Sequence, residues 1–345
     1  MVDFHGWDMP INYGSQLSEH KQVRSSCGIF DVSHMTILDF EGKDAKDLLR
    51  KLLANDISSL ENDFDGLYSA LLNESGGILD DLIAYKMKSG YRLVVNCATR
   101  ESDINWITSQ VGDMDVSFSE RTDLSIIAIQ GPDALEVLSR CFSTDTSNEL
   151  IKKKPFEGLM KKGTLVTTTG YTGEKGVEVM IDNEKANSLW QKAIESGASP
   201  VGLAARDTLR LEAGMNLYSF EMDEKISPLE CNMAWTVSLK DKDRNFIGRE
   251  AFELKKKAGD HNLLKGLLFE DKCIVRSNQE IFFDEKKSQS GVVTSGTYSP
   301  TLKKSIALAR IVPSDQEKCF AEVRGKIFTA AIGQPRFVKE GKIVF

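Results

Sequence analysis

The 345-residue sequence predicts an α+β fold that ends in an all-β domain. Three observations predict it. Hairpin signals outnumber β-α-β repeats, helix-like segments are scattered among strand-like ones, and strand patterns dominate from about residue 260 onward. Residues 79–85 read as a strand after the Gly76-Gly77 turn. The turn Lys88-Ser89-Gly90 brings the chain back through Tyr91–Val95. A helix follows over about 99–107, with Asp103 and Trp106 on its turns. Gly131-Pro132 opens a short helix to Leu138, since proline suits a first helical turn. Segments 164–168 and 177–181 pair around a glycine-rich turn. Leu203–Ala213 supplies apolar residues at helical spacing, and Gly214 ends that helix. Gly248-Arg249-Glu250 opens a helix to Lys257. The polar tail 255–260 is the best linker, so a domain boundary falls there. Segments 291–296 and 321–323 are strands of the C-terminal part.

Composition removes several function classes. No run approaches the roughly 20 apolar residues that span a bilayer. The net charge of −7, without a Lys/Arg stripe interleaved with aromatics, disfavours nucleic acid as a partner. Six scattered cysteines form no C-x-x-C pair and read as reduced thiols. The four histidines have no metal-ligand spacing, and no G-x-S-x-G element signals a serine nucleophile. The first residues lack a basic n-region and an apolar h-region. A cytoplasmic location is therefore expected, or a mitochondrial one if a transit peptide has been removed.

Three groups of residues can carry chemistry. On a strand, neighbours point to opposite faces, so Asp81 shares a face with Leu79, Ile83 and Tyr85, and Asp80 shares the other with Leu82 and Ala84. A carboxylate on an apolar, aromatic face is costly unless paired or used. Asp81 is thus either a tuned functional acid or a turn-end cap near Gly76-Gly77. The segment 169–179 matches neither G-x-G-x-x-G nor a P-loop. It reads as a hairpin loop, either plain surface or one that lets backbone approach a flat ligand, with Tyr171 as a stacking face and Glu178 as an acceptor. On the helix after Gly202, Arg206 and Arg210 stand four residues apart, with Asp207 and Glu212 as possible partners. An arginine left unpaired there would suit an anionic ligand tail.

Taken in order, several segments resemble the glycine cleavage T-protein family along nearly the whole chain. They are 1–10, Phe30-Asp31-Val32-Ser33-His34-Met35, Asn73-Glu74-Ser75-Gly76-Gly77-Ile78-Leu79-Asp80-Asp81-Leu82-Ile83 and Val94-Val95-Asn96. Gly170-Tyr171-Thr172-Gly173-Glu174, 205–214, 246–250 and Thr294-Ser295-Gly296-Thr297-Tyr298-Ser299-Pro300 complete the set. The resemblance implies a three-domain cloverleaf around a central folate channel. Residues 1–257 would form a body of two interleaved subdomains, the second roughly 37–120, and 258–345 a β-barrel or jelly-roll-like domain. It further implies Asp81 as the catalytic acid, Glu178 as the acid that holds the pterin edge, Tyr171 as a channel wall and Arg206 as a channel residue. Met35, Tyr68, Tyr85, Val94, Asn96 and Trp235 would be further lining. Such proteins carry a short stretch before the segment that opens this chain, so its N-terminal packing is expected to differ.

The activity implied is transfer of a one-carbon unit from the aminomethyl-lipoyl arm of the H-protein to tetrahydrofolate, with tetrahydrofolate as cosubstrate and no metal or nicotinamide. Two alternatives share the scaffold. One is a folate-dependent demethylase or other one-carbon transferase. The other is a non-catalytic folate-binding assembly factor, whose K-G-C-Y-x-G-Q-E motif has no counterpart in Arg244-Asn245-Phe246-Ile247-Gly248-Arg249-Glu250, which lacks a cysteine.

Overall fold

Apolar residues at alternate positions build two antiparallel sheets that share a core. A computed structural model describes residues 1–284 and 288–345. In the first sheet the spatial order is Gly66–Leu72, Ile78–Lys86, Tyr91–Val95, Thr36–Glu41, Ser117–Glu120. Its outer face buries Leu38, Leu82, Leu93 and Val95 against Leu48, Leu49 and Leu52 of the Ala45–Leu52 helix and Ile107 of the Arg100–Val111 helix. Each fully buried leucine contributes roughly 1.5–3 kcal/mol.

The second sheet runs Gly158–Lys161, Thr164–Thr167, Gly176–Asp182, Leu124–Gln130, Gly28–Asp31, Ser199–Pro200, with only the last pair parallel. Helices Ala134–Cys141, Thr144–Ile151 and Asn183–Glu195 cover its outer face. The inner faces of the two sheets meet in one cluster that includes Phe30, Ile37, Tyr85, Val94, Ala128 and Met180. Ala205 and Leu209 of the Leu203–Ala213 helix close it from the side.

The chain ends in a closed six-stranded barrel, Leu263–Phe269, Lys304–Ile311, Gln289–Ser299, Glu280–Phe282, Lys318–Val323, Lys326–Gly333. Every ladder in it is antiparallel. Of the barrel and jelly-roll forms expected, the barrel is the one observed.

Two expectations change. The proposed 255–260 linker is helical as far as Ala258, because lysines are good helix formers and suit the negative C-terminal end. The helix stops at Gly259, whose φ of +71° costs glycine little. Strict alternation also fails at one residue of the Asp81 strand. Leu71 pairs with Asp80 and Leu72 with Ile78, so Leu79 is bulged out of register. It packs with the outer core instead of sharing the face of Asp81.

Candidate active site

The Ile78–Lys86 strand sets the site. Asp80, Leu82 and Ala84 point into the outer core, while Ile83 and Tyr85 point to the core between the sheets. Asp80 has no accessible surface, whereas Asp81 keeps part of its surface accessible on the cleft side. The deeper of the two acids is therefore Asp80.

Asp81 is held by two donors. The Tyr68 hydroxyl donates to Oδ2 at 2.6 Å and the Asn96 amide donates to Oδ1 at 2.9 Å. The same Asn96 amide reaches Asp80 Oδ1 at 2.8 Å, and the Asn96 backbone N–H reaches Asp80 Oδ2 at 3.0 Å. Burial raises the Asp81 pKa to about 7, and the neighbouring Asp80 charge adds to the rise; the Tyr68 and Asn96 bonds oppose it. Tyr68 in turn lies 5.8 Å from the Trp235 ring and 6.4 Å, stacked, from Phe156.

The hairpin loop between Thr164–Thr167 and Gly176–Asp182 supplies the facing wall. Its Tyr171 hydroxyl donates to the Asn216 carbonyl, and the Arg206 guanidinium stands 5.0 Å from the Tyr171 ring centroid. Glu178 Oε2 accepts from Thr169 at 2.5 Å, and among the described residues nothing donates to Oε1. Burial raises the Glu178 pKa, with Thr169 and Arg206 opposing. A carboxylate with one oxygen held and one open suits a ligand edge that presents N–H donors.

The arginine pair separates into one paired and one unpaired member. Arg210 is tied to Asp207 and to Glu221, each at 2.9 Å. Among the described residues Arg206 has no carboxylate at ion-pair distance, and its nearest polar side chain is His34 Nε2 at 3.4 Å. Burial and the Arg206 charge lower the His34 pKa to about 3, so that ring is neutral.

The site residues expected from the sequence thus fall into three places. Asp81, Tyr68, Asn96, Tyr171, Glu178, Arg206 and Met35 all keep partly accessible surface; Tyr68 and Asn96 bond Asp81, and Arg206 stands over Tyr171. Trp235, 5.8 Å from the Tyr68 ring, is 64% exposed. Tyr85 and Val94 lie beneath the lining, in the core between the sheets. Tyr85 is linked to Glu178 through its hydroxyl, 3.5 Å from Thr167, which is bonded to Thr169 and so to Glu178. The sequence reading missed Thr169, His34 and Met233, whose Sδ lies 3.9 Å from the Tyr68 hydroxyl. Thr169 and His34 lie inside segments quoted above without a feature that singles them out, and Met233 lies in none of them. Among the described residues no group of side chains could hold a metal ion, and no helix is long and apolar enough to cross a membrane.

Comparison with known proteins adds the family. The GCVT N-terminal domain model matches residues 1–241, and that of the glycine cleavage T-protein C-terminal barrel domain matches 263–339. The chain belongs to the glycine cleavage T-protein family. A crystal structure of glycine cleavage system aminomethyltransferase T from Bartonella henselae is 30% identical to this T-protein family member. It superposes with a TM-score of 0.90 over 99% of this chain and 95% of that one. Heterotetrameric sarcosine oxidase from Corynebacterium sp. U-96, in complex with pyrrole 2-carboxylate, is similar over 51% of this chain and 88% of that chain. Its TM-score is 0.36 and its identity 13%.

Proposed function

We propose that this T-protein family member is an aminomethyltransferase. It would take the one-carbon unit of S-aminomethyl-dihydrolipoyl H-protein to tetrahydrofolate. The observation that carries the reading is Asp81, an acid poised near neutrality on the wall of a cleft whose far side offers Glu178, Tyr171 and Arg206. The likeness to the Bartonella henselae aminomethyltransferase supports it.

The chemistry balances without a redox step. The donor carbon is held as S–CH2–NH2. Two folate N–H groups replace its bonds to nitrogen and sulfur, giving 5,10-methylenetetrahydrofolate. One displaced proton leaves with the amino group as ammonia, and the other ends on the lipoyl sulfur. As the first bond breaks the carbon becomes cationic, and an ionised Asp81 beside it stabilises that charge and orients the attacking amine. A pKa near 7 also suits brief acceptance of a folate amine proton. Glu178 would hold the pterin edge, and Arg206 a folate carboxylate. Trp235 at the rim offers a stacking face.

The test is methylenetetrahydrofolate formation from tetrahydrofolate and aminomethyl-loaded H-protein, wild type against Asp81→Asn. Turnover that falls roughly 10²–10³-fold in the variant, with folate binding kept, is expected. A folded wild type that binds folate but forms no product overturns the reading in favour of a demethylase or a non-catalytic folate protein.

A further inference from the structure

Behind Asp81, on the outer side of the sheet, a second acid meets Asp80. Asp103 projects from the Arg100–Val111 helix and is 1% exposed, and Asp80 is fully buried. Neither Asp103 oxygen accepts a hydrogen bond of ordinary geometry, while Asp80 and Thr99 lie against the carboxyl. Among the described residues no lysine, arginine or histidine forms an ion pair with either acid. The titratable groups that face the pair are Asp81 on the strand, Cys97 in the following turn, and Tyr218, Asp223 and Glu224 in the loop packed above. None of them is a cation. Two ionised carboxylates in contact under these conditions are not tenable, so one proton is shared.

We infer that Asp103 is a positioning residue of the transfer site: as the protonated member of the pair it donates to Asp80, and the Asp80 carboxylate fixes Asn96, which grips Asp81. The donor pattern decides which acid keeps the proton. Asp80 already accepts two N–H bonds from Asn96, which favour its ionised form, and Asp103 accepts none. Burial and the Asp80 charge accordingly raise Asp103 to about 10. Asp103 also borders a cavity of about 380 Å³ lined by Leu79, Ser102, Asn105, Trp106 and Glu224.

The inference rests on the proposed aminomethyl transfer for its kinetic arm only. In Asp103→Ala the donor to Asp80 is gone. Asp80 then protonates more readily and repels Asp81 less. We expect kcat to fall by up to about 10²-fold with the KM for tetrahydrofolate unchanged. The acid limb of kcat/KM should move to lower pH. Asp103→Asn, whose amide also donates, should recover most of kcat and the wild-type limb. An unshifted limb in the alanine variant, or an asparagine variant as impaired as the alanine one, overturns the role.

Infrared difference spectroscopy supplies an arm independent of turnover. At about pH 9, above the Asp81 titration, wild type should show a buried protonated carboxyl that Asp103→Asn removes. If the band is absent, the shared proton is refuted. A band present in a wild type that makes no methylenetetrahydrofolate would strike the proposed reaction and leave the pair standing.

Discussion

Asp81 trades stability for charge. Its folded pKa of about 7 lies above the ordinary 3.8, so the folded state holds a proton that the unfolded chain has lost between those values. The stabilisation is complete below the unfolded pKa and disappears as pH rises through about 7. Asp81→Asn should thus be less active yet more stable, and its advantage in Tm should widen from acid to mildly alkaline pH. A constant difference in thermal scans across that range would contradict the assigned environment. Tyr68→Phe tests the opposite lever. Loss of the 2.6 Å bond removes a stabiliser of the carboxylate, so the acid limb of kcat/KM should move to higher pH with the fold intact. At this scale the sequence shows why Asp81 stands out, since alternation puts it with Ile83 and Tyr85. It hides that Asp80 is buried deeper, because only the packed Arg100–Val111 helix turns that face into core.

Elements were more legible where punctuation is local. Gly214 ends the Leu203–Ala213 helix as expected, with φ +70°. A Cβ there would lie 1.4 Å from the Pro335 carbonyl oxygen, so the left-handed turn also lets the C-terminal segment close on the helix. Gly214→Ala should cost more than about 1 kcal/mol, read as a lower urea midpoint at an unchanged slope. The hairpin that bears Tyr171 is legible from its turn residues, and the helix expected to end at Lys257 ends at Ala258; only the linker expected from 255 onward differs, because lysines serve linkers and helices alike. The bulge at Leu79 was illegible, since register depends on the partner strand.

At the scale of the whole molecule, two buried networks join the body to the barrel. Glu212 receives His20 at 3.1 Å and Arg24 at 2.9 Å, and it also accepts from Ser299 and Thr301 beside the barrel. Arg210 bonds Ser295 at 3.0 Å, and its partner Glu221 accepts from Thr294 at 2.6 Å. Burial alone would raise the Glu212 pKa. The bonds from His20, Arg24 and Ser299 outweigh it and bring the pKa down to about 2 from the ordinary 4.5. That stability is full above the unfolded value and is lost as pH falls from 4.5 towards 2. Glu212→Gln removes one of the two carboxylates that hold Arg24, Glu174 at 2.7 Å remaining, and should cost about 1–3 kcal/mol. Acid unfolding followed by circular dichroism should show the variant giving way at higher pH; an unchanged transition would mean the network carries little. No short-range pattern reveals these ties, because the bonds from body to barrel join residues 73 to 89 apart in the chain. Their consequence reaches beyond stability. One helix presents Arg206 to the cleft and clasps the barrel through Arg210 and Glu212, so the two parts are not interchangeable modules. A chimera with a foreign barrel would inherit three buried charged groups, Arg210, Glu212 and Glu221, without their hydroxyl partners. It would then have to bring counterparts of Thr294, Ser295, Ser299 and Thr301 before the cleft could keep its shape.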